Sequence, residues 1–184
     1  AEPAASLAAA CRRAGLELAL TVASDRRDLE PAGLPAHHRV PATSGLEPDD
    51  GLGPWLERVR ATAPELLLHL SAGESVGEDY LEIVRRSLEL DDLAAWATTW
   101  SLAVEGTNGE PFAGGGFSAP LDLMYHHPTP FAVVRRDRFA AAGGLNLALP
   151  PGWREWDLRL AMLGRGWRGL VVPVWAARHL PLSG

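Results

Sequence analysis

The side chains of this sequence that could do chemistry are mostly carboxylates and arginines. Carboxylates take protons and hold hard cations, and guanidinium groups neutralise phosphates. Glu155 and Asp157 stand two apart in Arg154-Glu155-Trp156-Asp157-Leu158, at the start of a helical stretch. The structural alternative for Glu155 is an i,i+4 pair with Arg159, helped by the preference of acids for helix starts. Asp25, Arg26, Arg27 and Asp28 form a second charged group, which reads as ligand contacts or as solvated loop charge. Glu74 follows an apolar run and precedes a helix, where the dipole favours it whether or not it binds anything. His126-His127 has no third ligand at metal-site spacing, and neighbours on a strand point to opposite faces, so both read as loop or rim residues. A serine hydrolase of the α/β type would need Gly-x-Ser-x-Gly, which does not occur. Ser71 follows a strand and His179 is present, but spacing nominates no carboxylate to complete a triad.

These groups must be positioned by alternating helices and strands. A helix over Ser6–Ala14 is stopped by Gly15, and Leu16–Val22 alternates like a strand. Asp25–Pro54 is loop-like, and Pro54 opens a helix over Trp55–Ala61. Leu66–Leu70 is an uninterrupted apolar strand, as expected where both sheet faces are covered. Ser75 and Glu78 have capping-box spacing before a helix whose stripe is Tyr80, Leu81, Val84 and Leu88. Ala94–Val104 is extended, with Trp96, Thr98 and Trp100 on one side, and Thr107–Ala119 is a glycine-rich loop. Phe131–Val134 is a strand, followed by a short helix ending at Gly143-Gly144. Pro151–Arg165 is a helix with Trp153, Trp156, Leu160 and Leu163 along its inward face, and Leu170–Trp175 is a last strand. The pattern predicts one α/β domain with a largely parallel sheet.

Composition narrows the function classes. The chain has 184 residues, 17 basic against 23 acidic, and a net charge of -6. An acidic balance argues against a broad nucleic-acid footprint, which needs clustered cations. Hydrophobic residues at 47% and charged residues at 22% are globular values and exclude a disordered chain. The lone cysteine, Cys11, makes no internal disulfide, which points to a reducing, cytoplasmic setting. All basic residues are Arg, with no Lys and no Gln, the coding bias of a GC-rich bacterial genome. No apolar run reaches the roughly 18 to 20 residues of a membrane span. Glu2 and Pro3 leading into an Ala-rich helix do not read as a signal peptide.

From Pro130 to His179 the order of motifs resembles the family 2 glycosyltransferases. An apolar strand ends in Arg135-Arg136, then come Phe139, Gly143-Gly144-Leu145, the Glu155-Trp156-Asp157 helix start, Gly166-Trp167-Arg168 and a closing strand. The resemblance implies a GT-A-like (Rossmann-like) three-layer sandwich with a mostly parallel central sheet. It also implies transfer of a sugar from a nucleotide-sugar donor to a glycan or other acceptor, with inversion. Glu155 falls where the family's base lies, with Asp157 two residues on, and Asp25, Arg26, Arg27 and Asp28 fall at the nucleoside turn.

The resemblance is altered at the metal turn. Ser71-Ala72-Gly73-Glu74 has Ser and Gly where the family's two acids stand, so Glu74 and His179 are the remaining candidates to ligate Mn²⁺ or Mg²⁺. Arginines can neutralise a leaving phosphate without a metal. The family's first apolar strand does not precede the first helix, as in a fragment of a longer polypeptide that supplies other domains. The alternative is therefore a catalytically degenerate glycosyltransferase-like module with a binding or architectural role in a larger protein.

Overall fold

A computed structural model describes residues 9–11, 13–14, 65–68, 74–104, 110–113, 124 and 132–179. The expected strand Leu16–Val22, the helix Trp55–Ala61, the nucleoside turn, Ser71–Gly73 and His126-His127 lie outside the described residues. Among those described, the elements are β1 (Leu66–Leu67), β2 (Ser75–Val76), α1 (Tyr80–Glu89), β3 (Ala94–Ala103), β4 (Val133–Arg135), α2 (Arg136–Ala141), α3 (Pro151–Leu163) and β5 (Arg168–His179).

The strands form one sheet in the order β1-β4-β3-β5-β2. Leu66 pairs with Arg135, Ala97 with Val133, and Ser75 with Arg178, all antiparallel. Only β3 and β5 run parallel, from Ala94 against Arg168 to Ala103 against His179. The expected GT-A-like sandwich with a mostly parallel central sheet is thereby overturned. Its physical basis was the assumption that every strand is followed by a helical crossover to the other edge. β4 instead runs antiparallel between β1 and β3. β2 likewise runs back along the far side of β5.

Alternation along the strands divides the core into two apolar clusters. One gathers α1 residues Tyr80, Leu81, Val84 and Leu88 with Ala94, Ala97, Val133 and the helical turn carrying Ala10, Cys11 and Ala14. The other gathers Leu67, Ala95, Trp96, Phe139, Leu158 and Met162, joining α2 and α3 to the sheet. Leu67 enters the second cluster while Leu66 and Leu68 pack on the first, the period of two expected of a strand. Trp96 lies flat across Gly169, where a Cβ would come within 2.0 Å of the indole. Only glycine allows that approach.

The α1 stripe matches the sequence reading, but its start does not. Ser75 is taken into β2, and the N-cap is Asp79, with no side-chain capping bond. Pairing Ser75 with Arg178 removes it from capping position. α2 ends where expected. Gly144 N–H donates to Phe139 O at 2.9 Å and Gly143 N–H to Ala140 O at 3.1 Å. This is a Schellman stop, with both glycines at positive φ of 72° and 101°. α3 starts with proline at its first positions and is followed by Gly164.

The α3 face is the second correction. Its buried residues are Arg154, Leu158, Arg159 and Met162, whereas Trp153 is 51% exposed. Trp156, Leu160 and Leu163 are half-buried. The arginines tolerate burial because they have partners. Arg154 Nε donates to Leu149 O at 2.8 Å and Nη2 to Leu147 O at 3.2 Å, and the Arg159 guanidinium sits 5.9 Å from the centre of the Trp96 ring.

Candidate functional site

β1, β3 and β5 share one direction, so their carboxyl ends meet at one edge. β5 ends there with His179, which is fully buried. Ser101 Oγ lies 2.8 Å from His179 Nδ1, and His179 Nε2 lies 3.1 Å from Glu110 O. A carbonyl only accepts, so Nε2 carries the proton and Nδ1 accepts from the serine hydroxyl. Burial pulls the imidazole pKa below its ordinary value, opposed by the Glu110 bond and the Glu74 charge. The ring is therefore neutral at pH 7.

Two further groups complete this network. Tyr80, fully buried at the start of α1, has its phenol pKa pushed far above the usual range. Burial is the main cause, the hydrogen bond with Thr98 lowers it, and the Glu74 charge raises it again. The segment carrying Glu110 is fixed by backbone pairing: Ser101 N–H to Phe112 O at 3.0 Å and Phe112 N–H to Ser101 O at 2.9 Å. Val104 N–H to His179 O, at 2.8 Å, ties the end of β3 to the end of β5. Glu74 thus acts on both Tyr80 of α1 and His179 of β5.

α3 carries Glu155 and Asp157 and packs on the sheet through Leu158 and Met162, beside Ala95, Trp96 and Phe139. Its far end turns through residues 164–167 into β5, where Arg168 N–H donates to Leu93 O at 2.9 Å at the amino-end edge. A helix of 13 residues is about 20 Å long. Glu155 lies on the face of Arg159 and Met162, at i, i+4 and i+7. Those two are buried, whereas Glu155 is exposed. Asp157 is half-buried, turned away from Glu155 around the helix.

The residues of the resemblance thus divide between two places. Glu74 and His179 lie towards the carboxyl-end edge, and Glu155 stands exposed on α3. Arg135 pairs with Leu66 at the other end of the sheet, and its guanidinium donates to Leu88 O, closing the end of α1. Arg136 N–H donates to Glu65 O at 3.1 Å. Asp25, Arg26, Arg27 and Asp28 lie outside the described residues.

A hard divalent cation does not fit what is described. Mg²⁺ and Mn²⁺ want several oxygen ligands. Here Glu74 is the only carboxylate of the network, and both ring nitrogens of His179 already face partners. No group of three or more His, Cys, Asp or Glu suited to a metal occurs among the described residues.

The Ser101–His179 pair is what sequence reasoning missed. The sequence reading weighed Ser71 with His179 and set the pair aside for want of a carboxylate, whereas the structure brings in Ser101, 78 positions away. The signal was the polar run Thr98, Thr99 and Ser101 inside a strand that is otherwise apolar. Both Ser101 and His179 are fully buried, so the pair secures the edge and meets no substrate.

No protein family matches the sequence, and no curated protein matches it either. No helix among the described residues is long and apolar enough to cross a membrane.

Proposed function

We propose that the chain is a glycosyltransferase-like domain of the cytoplasm that moves a sugar from a nucleotide-sugar donor to an acceptor, with inversion. Its support is the exposure of Glu155 on a helix face whose other members are buried. A carboxylate so held can meet an acceptor hydroxyl without giving up packing. The acceptor oxygen attacks the anomeric carbon, Glu155 takes its proton, and the bond to the nucleoside diphosphate breaks. Asp157 supports the charge of that turn, and Arg26 and Arg27 are the cations offered to the leaving phosphates.

Calorimetric titration with uridine and guanosine diphosphates, with and without Mn²⁺, tests this reading. It predicts binding that does not need the metal and that is lost in Arg26→Ala or Arg27→Ala. Metal-dependent binding in the micromolar range, about -8 kcal/mol, would contradict the assignment of the leaving-group charge to arginine. No binding to either nucleotide would favour a second reading, a degenerate module with a binding or architectural role. That reading has its own support in the full engagement of both His179 nitrogens and in the Ser and Gly at the metal turn.

A further inference from the structure

We propose that Trp175 and Arg178 hold the base and a phosphate of the nucleotide donor, a site that rests on the transferase reading of the chain. In a regular strand, residues three apart point to opposite faces. β5 is not regular here. Trp100 pairs with Trp175 and Ser101 with Ala177, so the register shifts by one residue at Ala176. Ala176 and Ala177 both pack on the α1 cluster, which is what an inserted residue produces. Trp175 and Arg178, on either side of them, are thereby turned together to the other face. On that face Leu158 and Met162 of α3 pack, so the pair and the helix carrying Glu155 share one side of the sheet.

The neighbouring strands agree with this assignment. Leu102 stands in register with Arg178 on β3, and Ser75 stands opposite it on β2. Val76 is buried in the α1 cluster, so Ser75 faces the other way, with Arg178. Glu74 shares the side of Val76, in keeping with the reach of its charge to Tyr80 and His179. Trp175 is 48% exposed and Leu102 43%, while Arg178 is exposed and Ser75 half-buried. The half-buried Trp100 packs against Trp175 with ring centres 5.2 Å apart, tilted by 56°, and so holds the indole in place.

The two side chains ask for different parts of one molecule. An indole takes a flat ring by stacking, in a way that tolerates any base. A guanidinium takes a phosphate through paired N–H bonds, and the Ser75 hydroxyl offers a further donor. The register partners Trp100 and Leu102 are two residues apart on β3, which spaces Trp175 and Arg178 by about 7 Å along the sheet. A nucleoside diphosphate carries its base and its phosphates at such a spacing, on either side of the ribose. A neutral glycan would use the ring and leave the cation unanswered.

Calorimetric titration of the whole chain with uridine and guanosine diphosphates tests the site, with Trp175→Ala, Trp175→Tyr and Arg178→Ala as variants. Trp175→Ala should weaken both nucleotides about tenfold, or about 1.4 kcal/mol, and Trp175→Tyr should keep most of the affinity. Arg178→Ala should also lose about tenfold. All three substitutions are at exposed positions, so the melting temperature should hold. Unchanged nucleotide affinity in either alanine variant would overturn the inference. Loss of neutral oligosaccharide binding in Trp175→Ala, with nucleotide affinity intact, would overturn it as well and give the ring to the acceptor. The two failures are distinguishable. Nucleotide binding that both alanine variants keep sinks this site alone, and no nucleotide binding by the unaltered chain sinks the donor reading with it.

Discussion

At the amino-end edge of β3 and β5, arginines close the structure onto carbonyls and a carboxylate. Arg168 meets Asp91 Oδ2 at 2.7 Å through Nε and Nη2. Arg138 donates to Asp92 O at 3.1 Å and lies 4.6 Å over the Trp167 ring. Arg135 caps the end of α1. At the carboxyl-end edge the ties are neutral: Ser101 to His179 to Glu110 O, and Tyr80 with Thr98. The difference teaches where a ligand can be met. Charges at the first edge are engaged by the fold, the buried polar groups of the second edge are neutral, and Glu155 of α3 stays exposed.

The sharpest way to break this comparison is to remove Glu155. Glu155→Gln should lower sugar transfer from a uridine or guanosine diphosphate donor by about 10²–10⁴-fold, with the melting temperature unchanged. An equal loss of rate in Asp91→Asn would show that the two edges do not differ in function.

Gly169→Ala should have the next largest effect, read by urea unfolding. Its Cβ would meet the Trp96 indole at 2.0 Å, and overpacking of this kind costs about 1–3 kcal/mol. Unchanged stability would mean that Trp96 does not lie across the strand as described.

His179 gives a pH dependence of defined sign. Its folded pKa is below the ordinary value of 6.5, so the unfolded chain takes up the proton first. Stability should therefore be complete above pH 6.5 and fall as the pH drops towards the lowered folded value. His179→Gln should flatten urea midpoints through that window, and a slope that survives the substitution would assign the effect to another group. The smallest effect belongs to Asp91. The Arg168 hydrogen bond holds its pKa below 3.8, so its contribution is present above that pH and is lost only in stronger acid. Asp91→Asn should alter unfolding little at neutral pH, as exposed ion pairs generally do.

Much of the α/β alternation was legible because burial leaves a period in the sequence. The α1 stripe of Tyr80, Leu81, Val84 and Leu88 and the stop at Gly143-Gly144 follow from side-chain size and backbone freedom alone. Strand direction was not legible, since an apolar run such as Leu66–Leu70 reads the same in either sense. The α3 face was misread because hydropathy ranks Trp153 above Arg154. Carbonyls of Leu147 and Leu149, set by the loop, reverse that order. Ser101 and His179 meet through strand pairing across 78 positions, which no local pattern records. Glu155 was legible as a candidate, but its exposure beside buried Arg159 and Met162 needed the packed helix.

The central claim is that ligands are met at Glu155 and the start of α3. Amide hydrogen exchange of the whole chain, with and without saturating uridine or guanosine diphosphate sugar, tests it directly. The account predicts slower exchange at residues 151–157, with no change at 88–94 and 164–168. Protection confined to 88–94 and 164–168, or none at 151–157, would contradict it.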